Sequence, residues 1–373
     1  MYVAPITAQD RPVTVRDRKV AIVHYWLVGM RGGERVVEQL LDLFPEADIY
    51  THVYVPEAVS ERLNRQRIRT TFIQKIPGAR KHYKKLLPLM PMALNHLDLG
   101  GYDLVISSES GPAKGVMVAP AAQHICYCHS PMRYLWDHYH LYWRNADFAS
   151  RMMMPLIAPA LRQWDFQTAQ GIDEIVANSS FVQKRIRRTW GRESTIVPPP
   201  IATEAFSASE TVDDYYLWVG ELIAYKRPDL AVDAFTRLGL PLVVVGDGEM
   251  SRMLHARAGP NIRFVPRMKF DALKRAYARC RALVFTAEED FGMVPVEANA
   301  SGRPVIAFGS GGVLDSIVPG VTGAFFSEQS VDALIEAVTA FDAGAFDPDA
   351  CMRNAERFSV RHFRARIGAL VRV

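Results

Sequence analysis

Short apolar runs alternate along this chain with longer stretches in which apolar residues recur every three or four positions. Val20-Ala-Ile-Val-His-Tyr-Trp26 is the first run; after a glycine-bearing break, Glu34–Phe44 sets Val36, Val37, Leu40, Leu41 and Phe44 near helical spacing. An apolar run reads as a strand buried within a sheet, and the periodic stretch as the helix that covers it. The same reasoning predicts strands over 47–53, 68–73, 103–107, 123–127, 174–178, 215–219, 241–245, 261–265, 281–286 and 304–308. Helices are predicted over 148–170, broken at Pro155 and Pro159, from Asn178 to near Trp190, over 229–238 and 269–281, from near Gly292, and within 348–373. Strand and helix alternating in this way make an α/β chain with doubly wound parallel sheets.

Ile196-Val-Pro198-Pro-Pro200-Ile divides that alternation, because three prolines fix an extended hinge. The expected layout is a flexible lead-in over 1–19, one domain over 20–200, a second over 201–355, and a terminal helix over 356–373. A chain of 373 residues, 49% hydrophobic, has room for two such cores. Residues 1–19 carry Asp10, Arg11, Arg16, Asp17 and Arg18 without an apolar segment, which is not the pattern of a signal peptide. No apolar run reaches the roughly 18–20 residues of a membrane span. The four cysteines lack zinc spacing and disulfide density, so a reducing, cytoplasmic setting is expected.

A net charge of +4 does not argue for a nucleic-acid partner. Its distribution says more, since nine Lys/Arg and no acid fall between Arg62 and Leu97. Arg80-Lys-His-Tyr-Lys-Lys85 leads there into an apolar, proline-broken stretch ending at Leu94, a pattern suited to an anionic membrane surface.

The candidate chemistry gathers at the ends of predicted strands. Ala287-Glu-Glu289-Asp-Phe291-Gly292-Met293-Val294-Pro-Val-Glu297 reads as an acidic loop opening a helix, whose first N–H groups face the loop mouth. Glu289 and Glu297 are spaced to grip two hydroxyl-bearing parts of one ligand. Gly32-Gly33 follows the first strand, and Lys226-Arg227 stands at the start of the helix over 229–238, where phosphate is favoured. His129 follows the strand over 123–127, next to Cys126-Tyr-Cys128, whose spacing is not that of a metal site.

These segments resemble the retaining family 4 glycosyltransferases. That resemblance implies a GT-B fold: two Rossmann-like domains, acceptor-side and nucleotide-sugar-binding, facing a cleft, with the C-terminal helix crossing back. It implies that Glu289 holds donor sugar hydroxyls and Glu297 the ribose, within a donor site formed by Phe291, Gly292, Met293 and Val294. Gly32, Gly33, Lys226 and Arg227 would meet the diphosphate and His129 the donor sugar, making His129, Glu289 and Lys226 the catalytic group. Tyr134, Trp136 and His138 are the acceptor candidates, with Tyr139 nearby. Glu221 departs from the pattern, standing where family members often carry an arginine.

Within the family, Trp26–Glu34, the His129 segment and Tyr225–Ala231 look most like O-antigen and exopolysaccharide mannosyltransferases. The expected donor is GDP-mannose, the acceptor a polyprenyl-diphosphate-linked saccharide, the location the inner face of the cell membrane, and no metal or other cofactor is needed. A UDP-sugar transferase, a GT-B sugar-nucleotide epimerase and a non-catalytic saccharide-binding protein are the alternatives.

Overall fold

The computed structural model describes residues 18–372, so positions 1–17 of the expected lead-in lie outside the described residues. The first sheet is parallel throughout and contains β1 (Val20–His24), β2 (Asp48–Thr51), β3 (Ile68–Thr70), β4 (Leu104–Glu109), β5 (Gln123–Cys128), β6 (Glu174–Ala177) and β7 (Thr195–Ile196). Its spatial order is β3-β2-β1-β4-β5-β6-β7. The second sheet, also parallel, contains β8 (Tyr216–Val219), β9 (Leu242–Val245), β10 (Ile262–Val265), β11 (Leu283–Phe285), β12 (Val305–Phe308) and β13 (Gly323–Phe326), in the order β10-β9-β8-β11-β12-β13. In each sheet the winding reverses beside the first strand, between β1 and β4 and between β8 and β11. Open α/β sheets bind their ligands at the carboxyl ends of the strands at that point.

Both faces of each sheet are covered, which is why the strands carry apolar runs. On one face of the second sheet Leu217, Val243, Val245, Leu283, Phe285, Val305 and Ala307 share a core. The alternate residues Tyr216, Trp218, Leu242, Val244, Val284 and Ile306 form the core on the other face. In the first sheet Cys126 and Cys128 point together into a core with Ile175, Val182, Ile186 and Trp190.

The chain forms two compact units. One runs to Asn178 and takes in Val182–Val197 and the segment from Arg364 on; the other comprises Ser179–Phe181 and Pro198–Phe363. The stretch 348–373 holds two helices, Pro348–Glu356 and Val360–Leu370. They part where Ile201 N–H donates to Phe358 O (2.9 Å) and Val360 N–H to Ile201 O (3.2 Å). Beyond that break, the Arg364 guanidinium reaches Asp42 and Gln39, and Gln123 exchanges hydrogen bonds with the Leu370 carbonyl and the Arg372 N–H (both 2.8 Å).

Three expectations are corrected. The helix Phe148–Gln170 is continuous through Pro155 and Pro159; the Arg151 carbonyl, which Pro155 cannot serve, accepts the Trp143 indole N–H at 3.0 Å instead. The strand expected to reach Ile73 ends at Thr70, and Phe72–Lys75 is a 3₁₀ turn. Part of the proline hinge is structured, since Thr195–Ile196 pairs with β6 as the short edge strand β7. Among the described residues, no helix is long and apolar enough to cross a membrane.

Candidate active site

At the winding reversal of the second sheet, β8 and β11 deliver a cation and an acid to one place. After β8, Ala224–Lys226 makes a 3₁₀ turn, and Arg227 (φ 53°) is the one non-glycine residue with positive φ among those described. Such backbone costs energy, so the turn must be held by its surroundings. Thr286, just past β11, donates to the Lys226 carbonyl (2.9 Å) and accepts the Trp218 indole N–H (3.0 Å). The Lys226 ammonium then lies 2.7 Å from Glu289 Oε1. Burial pulls the Lys226 pKa down, but Glu289, Tyr225 and Glu221 outweigh it and the net shift is upward. Lys226 is therefore charged at neutral pH. Arg227 is engaged locally, its guanidinium forking onto Asp229 at 3.0–3.2 Å. Glu221 is exposed.

The acidic loop is clamped from the β12 side. Gly312 N–H donates to Glu289 O (2.8 Å), and Ser310 Oγ to Glu288 Oε2 (2.5 Å). A Cβ on Gly312 would stand 2.3 Å from Asp290 O and from Phe291 Cα, so only glycine allows this approach. Phe291 anchors the loop in the core against Phe358 at 5.5 Å between ring centres. The helix Met293–Ala300 begins behind the Gly292 cap, with Met293 and Val294 half-buried in its first turn. Its fifth residue, Glu297, is 8% exposed and accepts the Tyr277 hydroxyl on Oε2 at 2.8 Å. Glu289, Lys226 and the helix start thus occupy one end of the second sheet, with Glu297 deeper along the helix.

The first unit gathers its own polar group at the β1/β4 reversal. Ser108 Oγ, near the end of β4, lies 2.9 Å from His24 Nδ1 and 2.8 Å from His129 Nε2. His24 Nε2 is 3.7 Å from Glu34 Oε1, while Glu34 Oε2 accepts the Arg31 N–H that opens the helix Gly32–Leu43. A Cβ on Gly33 would stand 2.9 Å from the Tyr25 hydroxyl and 3.5 Å from His129 Nε2, which places the Gly32-Gly33 turn against this cluster. His129 is fixed through its backbone, its N–H donating to Glu109 O (2.8 Å) and its carbonyl accepting Asn178 Nδ2 (2.9 Å). Burial, with His24 adding to it, lowers the His129 pKa to about 3. Its imidazole is neutral at physiological pH and able to hydrogen-bond a hydroxyl without carrying charge.

The three acceptor candidates differ in their engagement. Trp136 donates its indole N–H to Asp165 (2.8 Å), and His138 meets Arg133. The Tyr134 hydroxyl is buried without a hydrogen-bond partner among the described residues. Beneath them lies an ion cluster that sequence reasoning missed. Buried Lys114 pairs with Asp165 and lies 3.6 Å from Glu109, and Asp165 also accepts the Trp190 indole N–H at 2.8 Å. Asp165 sits inside the long helix, and no local spacing marks its partners, 51 and 25 residues away. Also missed were Tyr277, Thr286, Ser310, Ser108 and His24, all of them second partners of the residues the motifs name. Among the described residues no group of three or more His, Cys, Asp or Glu is placed to hold a metal. Cys126 and Cys128 are buried side by side, with both thiol pKa values raised chiefly by desolvation.

Two family models match consecutive parts of the chain: Glycosyltransferase Family 4 over residues 30–205 and Glycosyl transferases group 1 over residues 202–357. A D-inositol 3-phosphate glycosyltransferase of Kribbella flavida is 26% identical over 224 residues, covering 51% of this chain and 52% of its own length. A GDP-mannose-dependent alpha-mannosyltransferase of Mycolicibacterium smegmatis is 30% identical over 183 residues, covering 48% of this chain and 43% of its own. The chain spans about half the length of the curated relatives it matches. Among solved structures, Anabaena HepE in complex with UDP and glucose superposes with a TM-score of 0.68 at 16% identity, covering 94% of this chain and 98% of that one. The likeness places the two sheets in the GT-B fold.

Proposed function

We propose that this chain, matched by a Glycosyltransferase Family 4 model over residues 30–205 and by a Glycosyl transferases group 1 model over residues 202–357, is a family 4 glycosyltransferase and a retaining hexosyltransferase. It moves mannose from GDP-mannose to a saccharide carried on a polyprenyl diphosphate, in bacterial surface or exopolysaccharide synthesis. One observation carries the reading: the Lys226–Glu289 pair at the carboxyl ends of β8 and β11, with buried Glu297 just over one turn into the helix that follows. Lys226 supplies the positive charge that a departing diphosphate requires, Glu289 accepts hydroxyls of the transferred sugar, and Glu297 accepts those of the ribose. The bond from the anomeric carbon to the diphosphate breaks while the bond to the acceptor oxygen forms on the same face. The acceptor proton passes to the departing diphosphate, so no side chain serves as nucleophile.

GDP-mannose is favoured by relatives named as GDP-mannose-dependent mannosyltransferases. UDP in the HepE complex supports a UDP-sugar as the second reading. The protein acts as a peripheral enzyme at the cytoplasmic face of the membrane, where a lipid-linked acceptor resides. Thermal denaturation with GDP-mannose, UDP-glucose, GDP and UDP tests the donor. A ligand at 100 times its dissociation constant adds about 2.7 kcal/mol of stability, and GDP-mannose should produce the largest shift, unchanged by EDTA because the reading needs no metal. No shift with any nucleotide sugar would overturn the proposal, and a dominant shift with UDP-glucose would replace the donor. Chromatography after incubation with donor alone separates the epimerase alternative, which yields an epimerised sugar nucleotide where a transferase yields slow hydrolysis.

A further inference from the structure

The helix Phe148–Gln170 is reversed on its outer side. Ala158, Leu161, Asp165 and Ala169 form its buried face. At about 100° per residue, Met152 and Leu156 fall on the opposite face and Phe148 on its flank, and the three are 61%, 75% and 82% exposed. Water normally meets polar residues on that side. Here Met152-Met-Met-Pro-Leu-Ile-Ala-Pro-Ala-Leu161 contains no charge at all, and Leu141 and Tyr142 on the neighbouring helix are also half exposed.

What surrounds the stripe is cationic. Arg144 and Arg151 are exposed beside its first turn, and Lys81, Lys84 and Lys85 are exposed on the adjoining basic segment. That segment is joined to the helix at two points. Lys85 pairs with the cap residue Asp147 at 2.8 Å, and Leu87 packs on the cluster containing Ala158 and Leu161. An exposed apolar stripe ringed by Lys and Arg matches an anionic bilayer, in which apolar side chains enter the acyl boundary while the cations stay among the headgroups.

We infer that Phe148, Met152 and Leu156 form a membrane-inserting stripe that docks the first unit on anionic lipid, with the Arg80–Lys85 segment as its electrostatic collar. The inference rests on the lipid-linked acceptor reading above and adds to it an insertion element that charge alone does not provide. Collar and stripe separate by salt, because at ~1 M the Debye length falls to about 3 Å and the collar is screened while apolar burial persists.

The test sediments the full chain with vesicles of phosphatidylglycerol and phosphatidylcholine, at low salt and at ~1 M salt. The unaltered protein should bind at low salt and keep a salt-resistant fraction. Phe148→Ser with Leu156→Ser should weaken the salt-resistant partition roughly tenfold or more, and both sites are on the surface, so the fold is retained. Charge reversal at Lys81, Lys84 and Lys85 should remove chiefly the salt-sensitive part. Phe148→Trp should give fluorescence quenched by bromine-labelled acyl chains. Equal binding by the stripe variant and the unaltered protein at both salts would overturn the inference. So would self-association that the stripe variant abolishes while vesicles fail to bind, since a second copy would then be what covers the stripe. Nucleotide-sugar thermal shifts, which these substitutions leave alone, report separately on the transferase reading: vesicle insertion without any such shift would count against that reading and leave the stripe standing.

Discussion

Lys226→Ala should lower kcat/KM by about 10²–10³, the usual effect of removing one donor to a developing oxyanion. The loss should be large because Arg227, the next residue, is forked onto Asp229 and is not a ready substitute. Arg227→Ala is accordingly expected to cost less. Glu221 is exposed and stands last among the charges that raise the Lys226 pKa, so Glu221→Ala should leave donor affinity unchanged or slightly improved. Steady-state kinetics with the donor identified by thermal shift decides the matter. Near-normal turnover in Lys226→Ala, or collapse in a folded Glu221→Ala, would mean that the diphosphate charge is met elsewhere.

Substituting the two signature acids should give unlike defects. Glu289→Gln removes a carboxylate from the loop beside Lys226, and charge-assisted hydrogen bonds are worth about 1.5–3 kcal/mol. Turnover should fall by about 10–10² while the nucleotide still binds. Glu297→Gln should instead weaken nucleotide affinity by a similar factor, since the acid lies within the helix and the Tyr277 hydroxyl fixes one of its oxygens. Tyr277→Phe should reproduce part of that loss. Because Lys226 and Glu289 touch, Lys226→Ala with Glu289→Gln should cost less than the sum of the single changes. Calorimetric titration with the nucleotide, set beside kcat, tests the division. Equal losses of nucleotide affinity in the two acid variants would end it.

The strands carrying these residues were legible because burial on both faces forces apolar runs, and the Gly32-Gly33 turn because a glycine pair follows the first strand, where a Cβ on Gly33 would meet the Tyr25 hydroxyl and the His24 and His129 rings. What escaped was set by distance along the chain. Tyr277 reaches Glu297 across 20 residues, and Thr286 reaches the Lys226 carbonyl across 60. Neither contact has a local pattern, since a Tyr or Thr in such places also serves as ordinary packing. The edge strand β13 escaped for another reason: Gly-Ala-Phe-Phe is four residues long and begins with a glycine, too little for periodicity to register. The continuous helix through Pro155 escaped because its rescue comes from Trp143, outside the helix. The departure at Glu221 was visible as a mismatch, whereas its exposed position was not.

The return of the chain to the first unit also sets the order in which that unit can be finished. Its sheet has all seven strands once synthesis has passed Ile196, yet Asp42 and Gln123 receive Arg364, Leu370 and Arg372 only after the whole second unit has been made. During translation the first sheet must therefore wait, nearly complete, with the Gln123 amide still without these partners and Asp42 holding Arg62 alone. Its last hydrogen bonds close only after every residue of the second unit has left the ribosome.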